Sequence, residues 1–234
     1  MNTHRTLERT AGYFNAEWRE SRSPWARPPA PFVTISRECC SGGSQLAQLL
    51  AEKFNEEPDG QNRWNVYGGN LIDQMLLNYH LPGDLARFLP EDKVPEVNST
   101  IGEIVGLHPS LWELVQKAKT TMRRLASGGQ VILVGRGANF ATAGLPGGVH
   151  VRLVAPPDYR ARYYAQRFGV SEAEARVHNA KCDAARRRYV AAHFNAAVDN
   201  PSAYDLVINT AQVPLGEAAR LVATHVQAHA AVAA

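Results

Sequence analysis

The chain has 234 residues, 45% of them hydrophobic and 20% charged, with a formal net charge of +3. That length is enough to bury one sizeable core, and the composition is that of an ordinary globular protein, not a disordered or fibrous one. So small a charge gives no argument for bulk nucleic-acid or membrane-surface binding. Three cysteines, two of them adjacent at Cys39-Cys40, make neither a disulfide framework nor a C-x-x-C metal pair. With no signal-peptide apolar core and no run of transmembrane length, the reading is a cytoplasmic protein.

Residues 1 to about 20 carry Leu7, Ala11, Phe14 and Trp18 at helical spacing among charges. This predicts a short amphipathic helix that docks on the body or on a second subunit, which makes the arm a candidate homodimer contact. The stretch Ser21 to Pro31 holds four prolines and reads as an extended linker. The domain is therefore expected to run from 31 to 234, with 1–30 as arm and linker.

The most informative stretch follows. Phe32, Val33 and Ile35 predict a buried strand, Ser41-Gly42-Gly43-Ser44 a tight turn, and Leu46, Ala47, Leu49, Leu50 and Phe54 a helix. A Gly-rich turn between strand and helix offers backbone amides and a positive helix end to a phosphate. Set against the pattern G-x-x-x-x-G-K-[ST], Gly42 and Ser44 match, Arg37 replaces the first Gly, and Gly43 replaces the Lys.

Pro58-Asp-Gly60 predicts a turn and Trp64 to Tyr67 a second strand. Leu71 to Leu76 predicts a helix that ends before Pro82-Gly83. Residues 84–109, broken by Pro90, Pro95 and Pro109, predict short helices and a flap. Ser110, with Glu113 at the capping-box offset, opens a helix stopped by Gly128-Gly129. Val131 to Val134 is apolar throughout, as a buried parallel strand should be, and runs into Gly135-Arg136-Gly137. Val149 to Val154 is a further strand, followed after Pro156-Pro157 by a helix bearing Arg160, Arg162 and Arg167. Ser171 and Glu174 form a capping box for a helix carrying Asp183 and Arg186-Arg187-Arg188. Tyr204 to Thr210 is the last strand and Leu215 to His229 the last helix.

Strands alternating with helices predict a parallel sheet covered on both faces, with ligands beyond the carboxyl ends of the strands. The clustered arginines suggest a local anionic ligand, because a planar guanidinium holds two oxygens of a phosphate at once.

Four motifs in order carry a resemblance: Thr34-Ile-Ser-Arg-Glu38 with Ser41-Gly-Gly43; Val134-Gly-Arg-Gly-Ala-Asn139; Asp183-x-x-Arg186-x-x-Tyr189; and Tyr204-Asp-Leu-Val-Ile-Asn-Thr210. Over roughly residues 32 to 227 the chain resembles the cytidylate kinase-like family of P-loop nucleoside monophosphate kinases. The resemblance implies an α/β, three-layer α/β/α fold with a five-stranded parallel sheet and an Arg-rich helical lid at about 171–200. It implies phosphoryl transfer from ATP, with Mg2+, to CMP or dCMP as nucleotide partners. Cys40, Ser41, Gly42, Gly43 and Ser44 would then cradle the donor phosphates, with Ser44 as magnesium ligand. Arg37 would supply the charge missing at Gly43, and Arg136 would contact the acceptor phosphate. Arg186 and Arg188 would close from the lid, and Asn209 and Thr210 would lie near the donor base. The missing Lys leaves one rival, a nucleotide-binding regulatory module without turnover, and the 84–109 stretch, which would shape the acceptor site, leaves a second, a P-loop kinase of another small molecule.

Overall fold

The computed structural model describes residues 30–56, 63–81, 83 and 111–232. The expected N-terminal helix and linker, the Pro58 turn, the 84–109 flap and the Ser110 cap lie outside the described residues.

Five strands form one parallel sheet in the order β2-β3-β1-β4-β5. They are β1 (Phe32–Arg37), β2 (Asn65–Tyr67), β3 (Val131–Val134), β4 (Gly148–Val154) and β5 (Leu206–Asn209). The helices are α1 (Gly43–Phe54), α2 (Asn70–Asn78), α3 (Leu111–Gly128), α4 (Ala138–Ala141), α5 (Pro157–Phe168), α6 (Glu172–Phe194) and α7 (Leu215–Val232). The sheet and its flanking helices are those the sequence predicts; α4, four residues long, is the addition. Among the described residues no helix is long and apolar enough to cross a membrane.

Side-chain alternation along the strands sorts the core into two layers. Val33, Ile35, Ile132, Val151 and Leu153 face α1 and α7, packing on Leu46, Leu50, Val222 and Val226. Phe32, Val131 and Leu133 face the opposite way, onto Leu71 of α2, Met122 of α3 and Ala138 of α4. Both faces are covered by apolar side chains, so the strands read as nearly unbroken apolar runs. The exception lies on the second face of β1 and β4, where Thr34 is opposite His150 and Ser36 is opposite Arg152. Thr34 Oγ1 lies 2.8 Å from His150 Nδ1, and the His150 amide donates to Asp205 at 2.6 Å.

Burial holds the His150 imidazole below its ordinary pKa, against the pull of Asp205. The folded protein therefore resists a proton that the unfolded chain accepts near 6.5. The contribution to stability is complete above that pH and is lost as pH falls through the folded value. Urea unfolding at pH 7.5 and pH 5 should show a fall in midpoint that is smaller in His150→Asn than in the parent. An equal fall in the two proteins would exclude His150 as a source.

Candidate active site

The turn after β1 forms because its residues accept unusual dihedrals. Cys40 has φ 61° and Gly42 φ 90°, and Gly42 caps α1 in the left-handed region. The first-turn amides of α1 have no acceptor within their own helix, which leaves them for an anion. Ser44, the expected magnesium ligand, stands exposed in that first turn. A Cβ built on Gly43 would lie 2.9 Å from Cγ of Arg37 and 3.2 Å from its Cβ and Cδ. The stem of Arg37 thus occupies the space where a P-loop Lys would leave the backbone.

Behind the turn lies an ionic knot. Arg160 of α5 is 6% exposed. Its Nη1 donates to Asp183 of α6 at 2.6 Å and to the Cys39 carbonyl at 3.1 Å, and its Nε donates to the Ala155 carbonyl at 2.8 Å. Glu38 sits 3.4 Å from Arg160 Nε and accepts from the Ala155 amide at 3.0 Å. The second Asp183 oxygen accepts the Cys39 amide at 2.6 Å. One guanidinium thereby binds the turn after β1 to both α5 and α6. Arg186 adds a donation to the Arg37 carbonyl at 3.4 Å and lies 4.0 Å from Asp183.

All three cysteines gather at this junction. Cys39 and Cys40 sulfurs are 3.8 Å apart, and the thiol of Cys182 on α6 hydrogen-bonds Cys39. That bond with Cys182 pulls the Cys39 pKa down, but the contact with Cys40 and burial outweigh it and push it up to about 12. The same contact with Cys39 lowers Cys40.

A cleft of ≈ 470 Å³ opens at the carboxyl ends of β1 and β3, and α6 closes one side of it. It is lined by four arginines, Arg37, Arg152, Arg186 and Arg187, and by two carboxylates, Glu38 and Asp183. Both acids belong to the knot, so the cleft is electropositive. Gly135, Gly137 and Asn139 form the β3 side. Gly137 is required there: its φ is +65°, and a Cβ would lie 2.4 Å from Cε2 of Phe194 at the end of α6.

Arg37 and Arg186 thus lie in the cleft. Arg136 is half-buried beside it in the left-handed region, φ 54°, and is not among the lining side chains. Arg188 is exposed and also does not line it; its neighbour Arg187 does. Asn209 and Thr210 make the turn after β5, Asn209 accepting the Ala211 amide at 3.1 Å and the Thr210 amide donating to the Val154 carbonyl at 2.9 Å. Among the described residues no group of three or more His, Cys, Asp or Glu is placed to hold a metal ion. Magnesium here would depend on substrate phosphates plus Ser44, in keeping with its habit of keeping few protein ligands.

Sequence reasoning did not single out Arg152, or Arg160 as the centre of a knot. Arg152 left a trace, because His150 and Arg152 alternate with apolar residues in β4 and so share one face. Arg160 left none, since its partners lie on distant segments.

The chain matches the cytidylate kinase-like family over residues 32–212. No curated protein matches it. Among solved structures, an uncharacterized protein from Eubacterium ventriosum ATCC 27560 is similar with a TM-score of 0.63 at 18% identity, covering 85% of this chain and 98% of that one. A shikimate kinase from Bacteroides thetaiotaomicron has a TM-score of 0.47 at 12% identity, covering 84% and 98%. A gluconokinase from Sinorhizobium meliloti 1021 has a TM-score of 0.43 at 15% identity, covering 88% and 93%. At such identities the first likeness shows the fold alone, and the two kinases carry no argument about substrate.

Proposed function

Since the chain belongs to the cytidylate kinase-like family, we propose that it transfers phosphate from ATP to CMP or dCMP. The observation that carries this reading is the cleft with four arginines, one of which, Arg37, ends β1 and lays its stem on Gly43 of the glycine turn. Phosphoryl transfer asks a protein mainly to position two phosphate-bearing groups and to neutralise their charge. The cleft and the turn are the two places suited to that. Amides of Cys40 to Ser44 would hold the donor phosphates and Ser44 Oγ the magnesium. Bound Mg-ATP would supply the phosphoryl group. Arg37 and Arg186, which line the cleft, would stabilise the charge that spreads over the transferring oxygens. Arg187 would close from α6.

The test is ADP release in the presence of magnesium, with CMP, dCMP and the other common nucleoside monophosphates as acceptors. Turnover is expected with the cytidine nucleotides ahead of the rest. A folded sample that releases no acceptor-dependent ADP with any of them would reject the reading. The outcome would then favour a nucleotide-binding module without turnover, which has its own support in Gly43 and in the Asp183 carboxylate already seated on the Cys39 amide. That second reading expects thermal stabilisation by ATP without phosphoryl transfer.

A further inference from the structure

We propose that Arg152 is the buried anchor for the anionic group of the acceptor, and that the group it takes is a phosphate monoester. This rests on the reading that the cleft holds the acceptor.

Arg152 is 7% exposed, and it rises from the middle of a strand, on the second face of β4. Burying a guanidinium is costly unless a counter-charge and hydrogen bonds compensate it. The knot shows how this protein meets that cost: Arg160, equally buried, has two carboxylates and two carbonyls. Arg152 has much less. Its Nη1 donates to Ser36 Oγ at 3.0 Å, and its Cζ lies 5.7 Å from the centre of the Tyr204 ring. A guanidinium carries five N–H donors, and this is its one hydrogen bond among the described residues. No carboxylate among them pairs with it. The two acids of the same cleft, Glu38 and Asp183, are held by Arg160.

Among the described residues, what surrounds Arg152 orients it and does not neutralise it. The Tyr204 hydroxyl lies 3.2 Å from Ser36 Oγ and donates to the Val198 carbonyl at 2.7 Å, so Ser36 is fixed from both sides. The ring of Tyr204 supports the guanidinium. Arg152 lines the cleft together with Arg187 of α6. A fixed guanidinium on β4 and a second on α6, both lining one cleft, suit a dianionic phosphate better than a neutral sugar. A neutral acceptor would leave Arg152 uncompensated once the cleft closed.

The experiment uses the full chain and two variants, Arg152→Met and Arg152→Lys. Binding of CMP, cytidine and inorganic phosphate is measured by calorimetry, along with thermal unfolding without ligand. Arg152→Met is expected to weaken CMP roughly thirtyfold to a hundredfold, with ATP affinity unchanged and cytidine affinity nearly so. Arg152→Lys should recover part of the CMP binding. Inorganic phosphate should stabilise the parent and not Arg152→Met. Without ligand, Arg152→Met should unfold at a higher temperature than the parent, because an uncompensated buried charge has been replaced by a side chain of similar length. A purely structural Arg152 predicts the reverse: a lower unfolding temperature and an undiminished response to phosphate in Arg152→Met, and that result overturns the proposal. So does a parent that binds neither CMP nor phosphate. If CMP binds through Arg152 but no transfer follows, the kinase reading fails and the anion site stands.

Discussion

Arg160→Met is expected to destabilise the protein by about 3–5 kcal/mol, the usual result of removing one member of a buried ion pair. At this chain length that is a fall of about 6–20 °C in unfolding temperature. The magnitude follows from what the substitution leaves behind. Glu38 and Asp183 would lose their shared cation, and the Ala155 and Cys39 carbonyls would lose a donor, all in a place where side chains of Arg160 and Asp183 are only 8% and 11% exposed. Asp183→Leu is expected to be costly as well, since it strands Arg160 and the Cys39 amide. The double variant should be less destabilised than the sum of the two, with a coupling above about 1 kcal/mol, because each change removes what the other left unpaired. Strict additivity in urea unfolding would contradict the knot. Arg176→Ala is the control. Its partners Asp158 and Glu172 are on the surface, with side chains 66% and 46% exposed, and the change should stay within about 0.5 kcal/mol.

Arg37→Ala is expected to lower kcat/KM for ATP by about 10²–10³, the loss that follows removal of one group stabilising transition-state charge. The stem of Arg37 lies on Gly43, and in the proposed function its guanidinium would stand in for the cation that the missing Lys would have provided. A steric consequence separates this account from a general need for positive charge. Gly43→Lys in the parent restores the written motif but sets a side chain into the Arg37 stem at 2.9 Å, and activity should fall. In the Arg37→Ala background the same Gly43→Lys has room, and it should recover at least tenfold of the lost rate, a coupling of about 1.4 kcal/mol. If Gly43→Lys rescues nothing in that background, or if Arg37→Ala leaves ATP kinetics intact, Arg37 is not the substitute cation.

The two experiments concern the same few residues from opposite sides. The knot sets how firmly α6 is held to the turn after β1, through Asp183 and Arg160. The cleft lies on the other side of that attachment, with Arg186 contacting both, since it donates to the Arg37 carbonyl and lies near Asp183. Stability of the knot and order in the site should therefore rise and fall together.

Much of this was legible along the chain. Patterns with a short range survived folding unchanged. The Ser171–Glu174 capping box is present in both directions, Ser171 Oγ accepting the Glu174 amide at 3.2 Å and Glu174 accepting the Ser171 amide at 2.9 Å. The apolar run Val131 to Val134 is fully buried, as its neighbours on both faces require. The order of strand, Gly turn and helix determined the class of fold and placed the ligand end of the sheet. Those features depend on residues a few positions apart, whose dihedral preferences and hydrophobic spacing are fixed by covalent connection.

The arginines show where such reading stops. Along the chain Arg152, Arg160, Arg186, Arg187 and Arg188 are equivalent cations. In the folded protein Arg188 is exposed, Arg160 is neutralised, and Arg152 is buried with no acid among the described residues paired to it. Their chemistry depends on desolvation and on counter-charges that come from distant segments: Glu38 and Asp183 reach Arg160 from separate elements, and Cys182 meets Cys39 in the same way. The sequence by itself determined the fold, the glycine turn between β1 and α1, and the family to which the chain belongs. Only the tertiary structure decided which cations line the cleft, because a charge acts according to what surrounds it and not where it stands in the chain.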